Sequence, residues 1–160
     1  NSSVTINGSA VALGGSTTVG GGKIGQAVFA STSTEVSNST TTYGDIGLSA
    51  SITPSATSSK IHVTAVVSMM GDCGSETNVT VQHRIMRDST PIVEFNTARI
   101  NGVQSHIGGS PSLAFLDSPS TSGSAVTYKV QHRVEVANGR GVTSSWNSGA
   151  STITLMEVLV

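Results

Sequence analysis

The segment ASTITLMEVLV, Ala150 to Val160, decides the fold, because it reads as one β-strand whose two faces both become apolar. Side chains alternate along a strand, which gives one face Ser151, Ile153, Leu155, Glu157 and Leu159 and the other Thr152, Thr154, Met156, Val158 and Val160. A strand with one face in solvent keeps that face polar. We therefore expect this strand at the centre of a sandwich or at a seam between copies of the chain. The residues assigned to that oligomer interface are Leu155, Met156, Val158 and Val160.

The same alternation recurs along the chain, whereas no window shows the three-and-four spacing of an amphipathic helix. Three segments show it most clearly, with apolar faces made of Ile46, Leu48, Ala50 and Ile52; of Ile61, Val63, Ala65, Val67 and Met69; and of Val126, Tyr128, Val130, Val134 and Val136. Weaker candidates span residues 24–36, 78–87, 92–100 and 113–116. The chain is therefore predicted to be all-β, with about eight strands.

Short antiparallel strands around one core favour an antiparallel two-sheet jelly-roll-like β-sandwich, with another Greek-key sandwich as the alternative. The 160 residues suffice for one such domain. Residues 1–22 differ from the rest because their few apolar side chains are followed by glycine clusters, so they are predicted to be the end of a shaft or a tether. Residues 23–160 are predicted to form the knob. Since the sequence begins at Asn1 without Met, we expect a fragment or a processed product.

Composition argues against two classes of partner. Charged residues make up 11% of the chain and its net charge is −1, so no basic field is present to attract nucleic acid. No apolar run approaches the roughly 18 residues of a membrane span, and membrane insertion is not expected.

No catalytic motif stands in a suitable context. Gly20, Gly22 and Gly25 spell G-x-G-x-x-G, but no helical pattern follows to hold a pyrophosphate, so a flexible linker is the better interpretation. The serines form no Gly-x-Ser-x-Gly elbow, and Cys73 lies alone in a polar loop. We expect a protein that is not an enzyme and that carries no cofactor.

Two near-copies, VQHRI at 81–85 and VQHRV at 130–134, place His83 and His132 on the apolar faces of their strands. If these strands are neighbours, the two imidazoles approach each other, or approach symmetry mates near an oligomer axis. No cysteine or carboxylate falls at ligand spacing, so no metal site is predicted. Hydrogen-bonded histidines in the core or at an oligomer interface are the preferred interpretation.

Trp146 is the large aromatic residue of a polar loop, Ser144 to Ser148. Its ring is suited to stack on a sugar, with Asn147 beside it and with Asn138 and Arg140 of the preceding turn as hydrogen-bonding residues. The alternative is that Trp146 folds back and caps one end of the core. These four residues are the candidate ligand-binding site.

Several segments, taken in order, carry a resemblance to a known family: SITPS at 51–55 with SSKI at 58–61, RDSTPI at 87–92, FLDSP at 115–119, TYKVQ at 127–131 and STITLMEV at 151–158. Over about residues 23–158 the chain resembles the C-terminal domains of tail-fibre and head-fibre structural proteins of phages, especially marine ones. The sequence around Ile6-Asn7-Gly8 is similar to shaft ends of such fibres. His83 and His132 depart from the family pattern, in which apolar residues are usual.

The resemblance implies a β-sandwich knob, homotrimeric, at the tip of a virion appendage and without catalytic residues. Its partners would be copies of itself, other virion proteins through the N-terminal segment, and a glycan or protein of the host surface. A capsid-decoration or fibre-capping protein without receptor binding, a polysaccharide depolymerase fragment and a secreted lectin remain alternatives, since one fold supports many functions.

Overall fold

The computed structural model describes residues 23–72, 78–101, 106–136 and 141–160, and these residues form twelve strands. The strand bounds are β1 Lys23–Thr32, β2 Val36–Asn38, β3 Gly44–Ile52, β4 Lys60–Val66, β5 Met69–Asp72, β6 Asn78–Arg87, β7 Thr90–Asn101, β8 His106–Gly109, β9 Ser112–Asp117, β10 Val126–Val134, β11 Gly141–Ser144 and β12 Ser151–Leu159. A 3₁₀ turn at Trp146–Ser148 is the sole helical element of these ranges, so nothing in them is a helix able to span a bilayer.

The strands pair into three four-stranded sheets, and every pairing within them is antiparallel. Sheet I has the order β1-β12-β4-β9, sheet II the order β2-β11-β5-β8, and sheet III the order β3-β10-β6-β7. Sheets I and II have matching orders, because each strand of one continues through a short break into the strand at the same position of the other.

Sheets I and II therefore form one layer of a sandwich, and sheet III forms the other. β3 packs against β1 and β12, and β10 packs against β11. With each broken strand counted as one path, the paths run in the order 1-8-3-6 in the first layer and 2-7-4-5 in the second. The predicted all-β antiparallel sandwich is confirmed, whereas the jelly-roll topology stays an interpretation that this order favours.

The core lies between the layers, where the inward faces of the strands meet in one apolar cluster. The predicted inner faces are confirmed: the apolar residues at alternate positions 46–52, 61–69 and 126–134 are buried. Val136 is the exception, because it follows the end of β10 at Val134 and is exposed. The predicted tether, 1–22, and the Cys73 loop lie outside the described residues.

One buried polar cluster crosslinks the layers. Asp117 of β9 accepts a hydrogen bond from the Tyr128 hydroxyl at 2.7 Å, and Arg87 Nη1 lies 3.0 Å and 2.9 Å from its two carboxylate oxygens. Burial raises the pKa of Tyr128, with the Asp117 hydrogen bond as the second cause. Since β9 belongs to sheet I and the other two residues to sheet III, this cluster fixes how the layers lie on each other.

Candidate functional site

The sheet I outer face is an exposed apolar surface. Register places Ala27, Met156, His62 and Leu116 side by side across all four strands. A second row is Phe29, Thr154, Thr64 and Ala114, and a third is Ile24, Val158 and Lys60. The exposed fraction is 65% for Phe29, 56% for Ile24 and 49% for Leu116. Lys60 and His62 are the ionisable residues of these three rows.

The predicted interface residues of the last strand divide between the two faces of the sheet. Met156 and Val158 are half-buried on the sheet I outer face, and Val160 is exposed beyond β12. Leu155 points the opposite way and is fully buried in the core of its own chain. Its assignment to an oligomer interface is corrected, because a side chain already enclosed by one sandwich has no surface left for a second copy.

Glu157 shares the inner face of β12 with Leu155 and is almost fully buried. Its Oε2 accepts a hydrogen bond from Gln26 Nε2 at 2.9 Å, and its Oε1 accepts bonds from the backbone N–H and the hydroxyl of Ser55, both at 2.7 Å. The Gln26 hydrogen bond is the largest cause that holds the pKa of Glu157 down, at about 2. This carboxylate ties β12 to β1 and to the segment after β3.

The VQHR repeat brings His83 and His132 together, as its strands are neighbours. His132 of β10 lies directly opposite His83 of β6, and their ring centroids are 6.0 Å apart. Both are fully buried within one chain. Their assignment to an oligomer interface is therefore corrected. They are core histidines, which was the other possibility that the sequence analysis offered.

Each ring is held through its Nδ1. His83 Nδ1 lies 2.7 Å from Thr97 Oγ1, and His132 Nδ1 lies 2.8 Å from Ser144 Oγ of the facing layer. The Thr97 hydroxyl donates its single proton to the Val81 carbonyl at 3.1 Å, so it accepts from His83 Nδ1–H. His83 is thus the neutral Nδ1–H tautomer, and neither Nε2 has a hydrogen-bond partner among the described residues.

Burial is the main cause that lowers the pKa values of both histidines. Burial lowers the pKa of His83 to about 3, with the nearby His132 as the second cause, and burial lowers the pKa of His132 to about 4. In the part of the chain that the structure describes, no group of three or more His, Cys, Asp or Glu side chains is placed to hold a metal ion.

On the opposite surface of sheet III, the same repeat builds a polar lattice. Arg84 Nε donates to Gln131 Oε1 and Arg133 Nε donates to Gln82 Oε1, both at 2.7 Å, which gives the repeat a local two-fold arrangement. The two guanidinium groups lie 4.0 Å and 4.4 Å from the centroid of the Tyr43 ring. The Arg and Gln side chains of this surface bind one another, while the Tyr43 hydroxyl has no hydrogen-bond partner among the described residues.

The Trp146 turn, Ser145–Gly149, connects β11 to β12 at the break between sheets I and II. Trp146 is 43% exposed and Asn147 is exposed beside it. The rest of the Trp146 surface is covered within the chain, so the alternative that Trp146 caps one end of the core stays a prediction. Asn138 and Arg140, the other two candidate ligand-binding residues, lie outside the described residues.

Sequence reasoning missed Glu35, which the fold brings to this turn. Glu35 Oε1 accepts a hydrogen bond from the backbone N–H of Asn147 at 2.6 Å, across 112 positions of sequence. No local pattern signals such a contact. Two strand pairings place the segment between Thr32 and Val36 next to the Trp146 turn: β1 with β12 on one side, and β2 with β11 on the other.

No family model matches the sequence, and no curated protein matches it. Among solved structures the chain is similar to one titled "Structure of infectious bursal disease virus Gt strain", at 12% identity and a TM-score of 0.35. The match covers 86% of this chain and 39% of that chain, so this chain spans less than half the length of that protein. A likeness of this size does not establish a shared function, which has to come from the residues themselves.

Proposed function

We propose that this chain is a non-enzymatic structural domain of a virion, a trimeric fibre-tip domain that associates through the sheet I outer face and presents its loops to the host surface. The observation that carries the proposal is the apolar character of that face. Three parts of the proposal come from the resemblance to phage fibre domains: the location on a virion appendage, the trimeric state and the contact with the host surface.

The sheet I outer face is broad, and most of the side chains in its three rows are apolar. Four strands about 4.8 Å apart and the nine residues of β12 at about 3.3 Å each cover about 570 Å² in projection. Side chains that stand out of the plane increase the accessible area toward the roughly 800 Å² that each partner buries in a stable interface. The largest apolar patch of an ordinary monomer spans about 300–600 Å² and is often a contact site.

A second copy of the chain is the occupant that fits best. The three rows carry Lys60 and His62 as their ionisable residues, so two or three such faces meet with little like-charge repulsion. Thr64, Thr154 and the flanking hydroxyl residues make hydrogen bonds with identical hydroxyls, since each is both donor and acceptor. Thr154 and Thr64 lie on the two central strands, between the exposed Phe29 and Ala114 of the edge strands, so these hydroxyls would meet near the middle of the interface.

The experiment is the solution mass of the chain and of one matched pair of variants. The wild type is expected at three times the 16.2 kDa of one chain. Met156→Glu, which places a charge in the middle of the sheet I outer face, is expected to give a folded monomer. Ser49→Glu places the same charge on the outer side of sheet III opposite Lys129, and this control is expected to stay trimeric. A wild-type monomer at micromolar concentration, or a Met156→Glu trimer, would refute the proposal.

A further inference from the structure

We propose that the Trp146 turn is a carbohydrate-binding site in which the indole face stacks on a neutral hexopyranose ring. The inference deepens the proposed function, on which it rests for the source of the sugar, a glycan of the host surface. Its physical basis is separate, because it depends on the turn and not on the sheet I outer face.

The first observation is the exposure of the indole. Trp146 is the sole tryptophan of the sequence and 43% of it faces solvent. A tryptophan contributes most when its ring is fully covered. The exposed part of Trp146 makes no such contribution within the chain, and a ligand that covers this part would add it.

The second observation is the strained backbone that displays the ring. Ser145, Asn147 and Ser148 have φ values of 56°, 52° and 57°, in the left-handed region that L-residues avoid. None of these three positions is glycine, which would adopt the conformation without cost. Strain of this kind persists where the surroundings enforce it, and it concentrates at binding sites.

The third observation is how firmly the turn is held. Ser145 donates its backbone N–H to the Ser68 carbonyl at 2.6 Å, and its hydroxyl lies 3.1 Å from the Ser151 hydroxyl. The Gly149 N–H closes the turn on the Trp146 carbonyl at 2.9 Å. The Glu35 carboxylate holds Asn147 from the other side. A ring displayed by so well-anchored a loop loses little entropy on binding.

The chemistry around the ring selects a sugar over an apolar protein surface. Asn147 and Ser148 are exposed beside Trp146 in the turn, and the exposed Glu35 binds the Asn147 backbone, so amide, hydroxyl and carboxylate groups lie close to the ring in the fold. A sugar presents C–H bonds to such a ring and hydroxyls to the exposed side chains of Asn147 and Glu35. The core of a protein interface is instead apolar and poor in charge.

The test uses Trp146 fluorescence, which reports this turn directly because the chain has a single tryptophan. The wild type is titrated with glucose, galactose, mannose and N-acetylglucosamine at millimolar concentrations, and at least one sugar is expected to change the emission saturably. Binding of that sugar, followed by saturation-transfer NMR, is expected to disappear in Trp146→Ala and to persist in Ser49→Glu, an exposed control on the outer side of sheet III. Thermal unfolding verifies that both variants are folded.

Two results would overturn the inference. One is the absence of a saturable response to all four sugars, and the other is a loss of the trimer in Trp146→Ala, which would make the ring a contact between copies. The solution mass of the wild type separates the two proposals. A trimer without sugar binding refutes only the carbohydrate site, and a monomer that binds sugar refutes only the assembly through the sheet I outer face.

Discussion

Burial keeps His83 and His132 neutral, and this links the stability of the sandwich to pH. An unfolded histidine titrates near pH 6.5, while the folded pair titrates at about 3 and about 4. Between these limits the unfolded chain binds more protons than the folded chain. Acidification therefore favours unfolding, and the full stability of the pair is present only above about pH 6.5.

The first prediction concerns this pair. Lowering the pH from 7.5 to 5 is expected to reduce the free energy of unfolding by about 4 kcal/mol, about 2 kcal/mol for each histidine. Urea denaturation at the two pH values measures the change. His83→Gln is expected to reduce the pH dependence by about half, and His62→Asn, a change on the sheet I outer face, to preserve it. A wild type equally stable at both pH values would contradict the burial of the pair.

The second prediction concerns Glu157. Glu157→Gln replaces one acceptor oxygen by an NH₂ group that must face the amide of Gln26 or the donors of Ser55, and a cost of about 2 kcal/mol is expected. Glu94→Gln is the control, because Glu94 is exposed and its oxygen lies 3.8 Å from Arg84 Nη1, so a change below about 0.5 kcal/mol is expected. Equal losses in both variants, measured by denaturation at pH 7, would refute the role of the buried carboxylate.

At the scale of elements, the strands that could be predicted from the sequence are those long enough to show a repeating alternation of apolar and polar residues. β3, β4, β10 and β12 repeat the alternation several times, and their inner faces are confirmed. β5, β8 and β11 are only four residues long, and β8 reads HIGG, so two positions per face carry too little pattern. The breaks that divide one layer into sheets I and II were missed for the same reason.

Side-chain contacts between elements far apart in the sequence could not be predicted from the sequence. Gln26 and Glu157 are 131 positions apart, and no spacing signals their hydrogen bond. The approach of His83 to His132 followed from the repeat once the strands were assumed to be neighbours. The exposure of Trp146 did not follow from its polar neighbours, because a cap on the core and a displayed ring have the same local sequence.

The third prediction concerns the Trp146 turn as an element. Asn147→Gly removes a side chain from a left-handed position and is expected to raise stability by up to about 1 kcal/mol, whereas Asn147→Ala is expected to lower it. Thermal unfolding of the two variants gives the sign of each change. If both variants shift the melting temperature in the same direction by similar amounts, Asn147 is not strained in solution.

At the scale of the molecule, the two broad faces of the sandwich have opposite characters. On the outer side of sheet III the charged groups find partners within the chain. Lys129 forms an ion pair with Asp45 at 3.0 Å, and Arg84 and Arg133 donate hydrogen bonds to the neutral side chains of Gln131 and Gln82. The sheet I outer face leaves Phe29 and Leu116 in solvent. This difference between the two faces is what the proposed assembly through the sheet I outer face requires.

The last prediction follows from that asymmetry. The rows that the proposed association buries contain Lys60 and His62 but no acidic side chain, so attraction between opposite charges does not hold the copies together. Raising NaCl from low to molar concentration is therefore expected to leave the trimer intact, even though the Debye length falls from about 30 Å to about 3 Å. Ammonium sulfate is expected to strengthen the association, because sulfate favours apolar burial. Sedimentation at fixed protein concentration measures both effects. Dissociation by NaCl would mean that the copies meet through the charged side of sheet III, and the Met156→Glu variant would then assemble like the wild type.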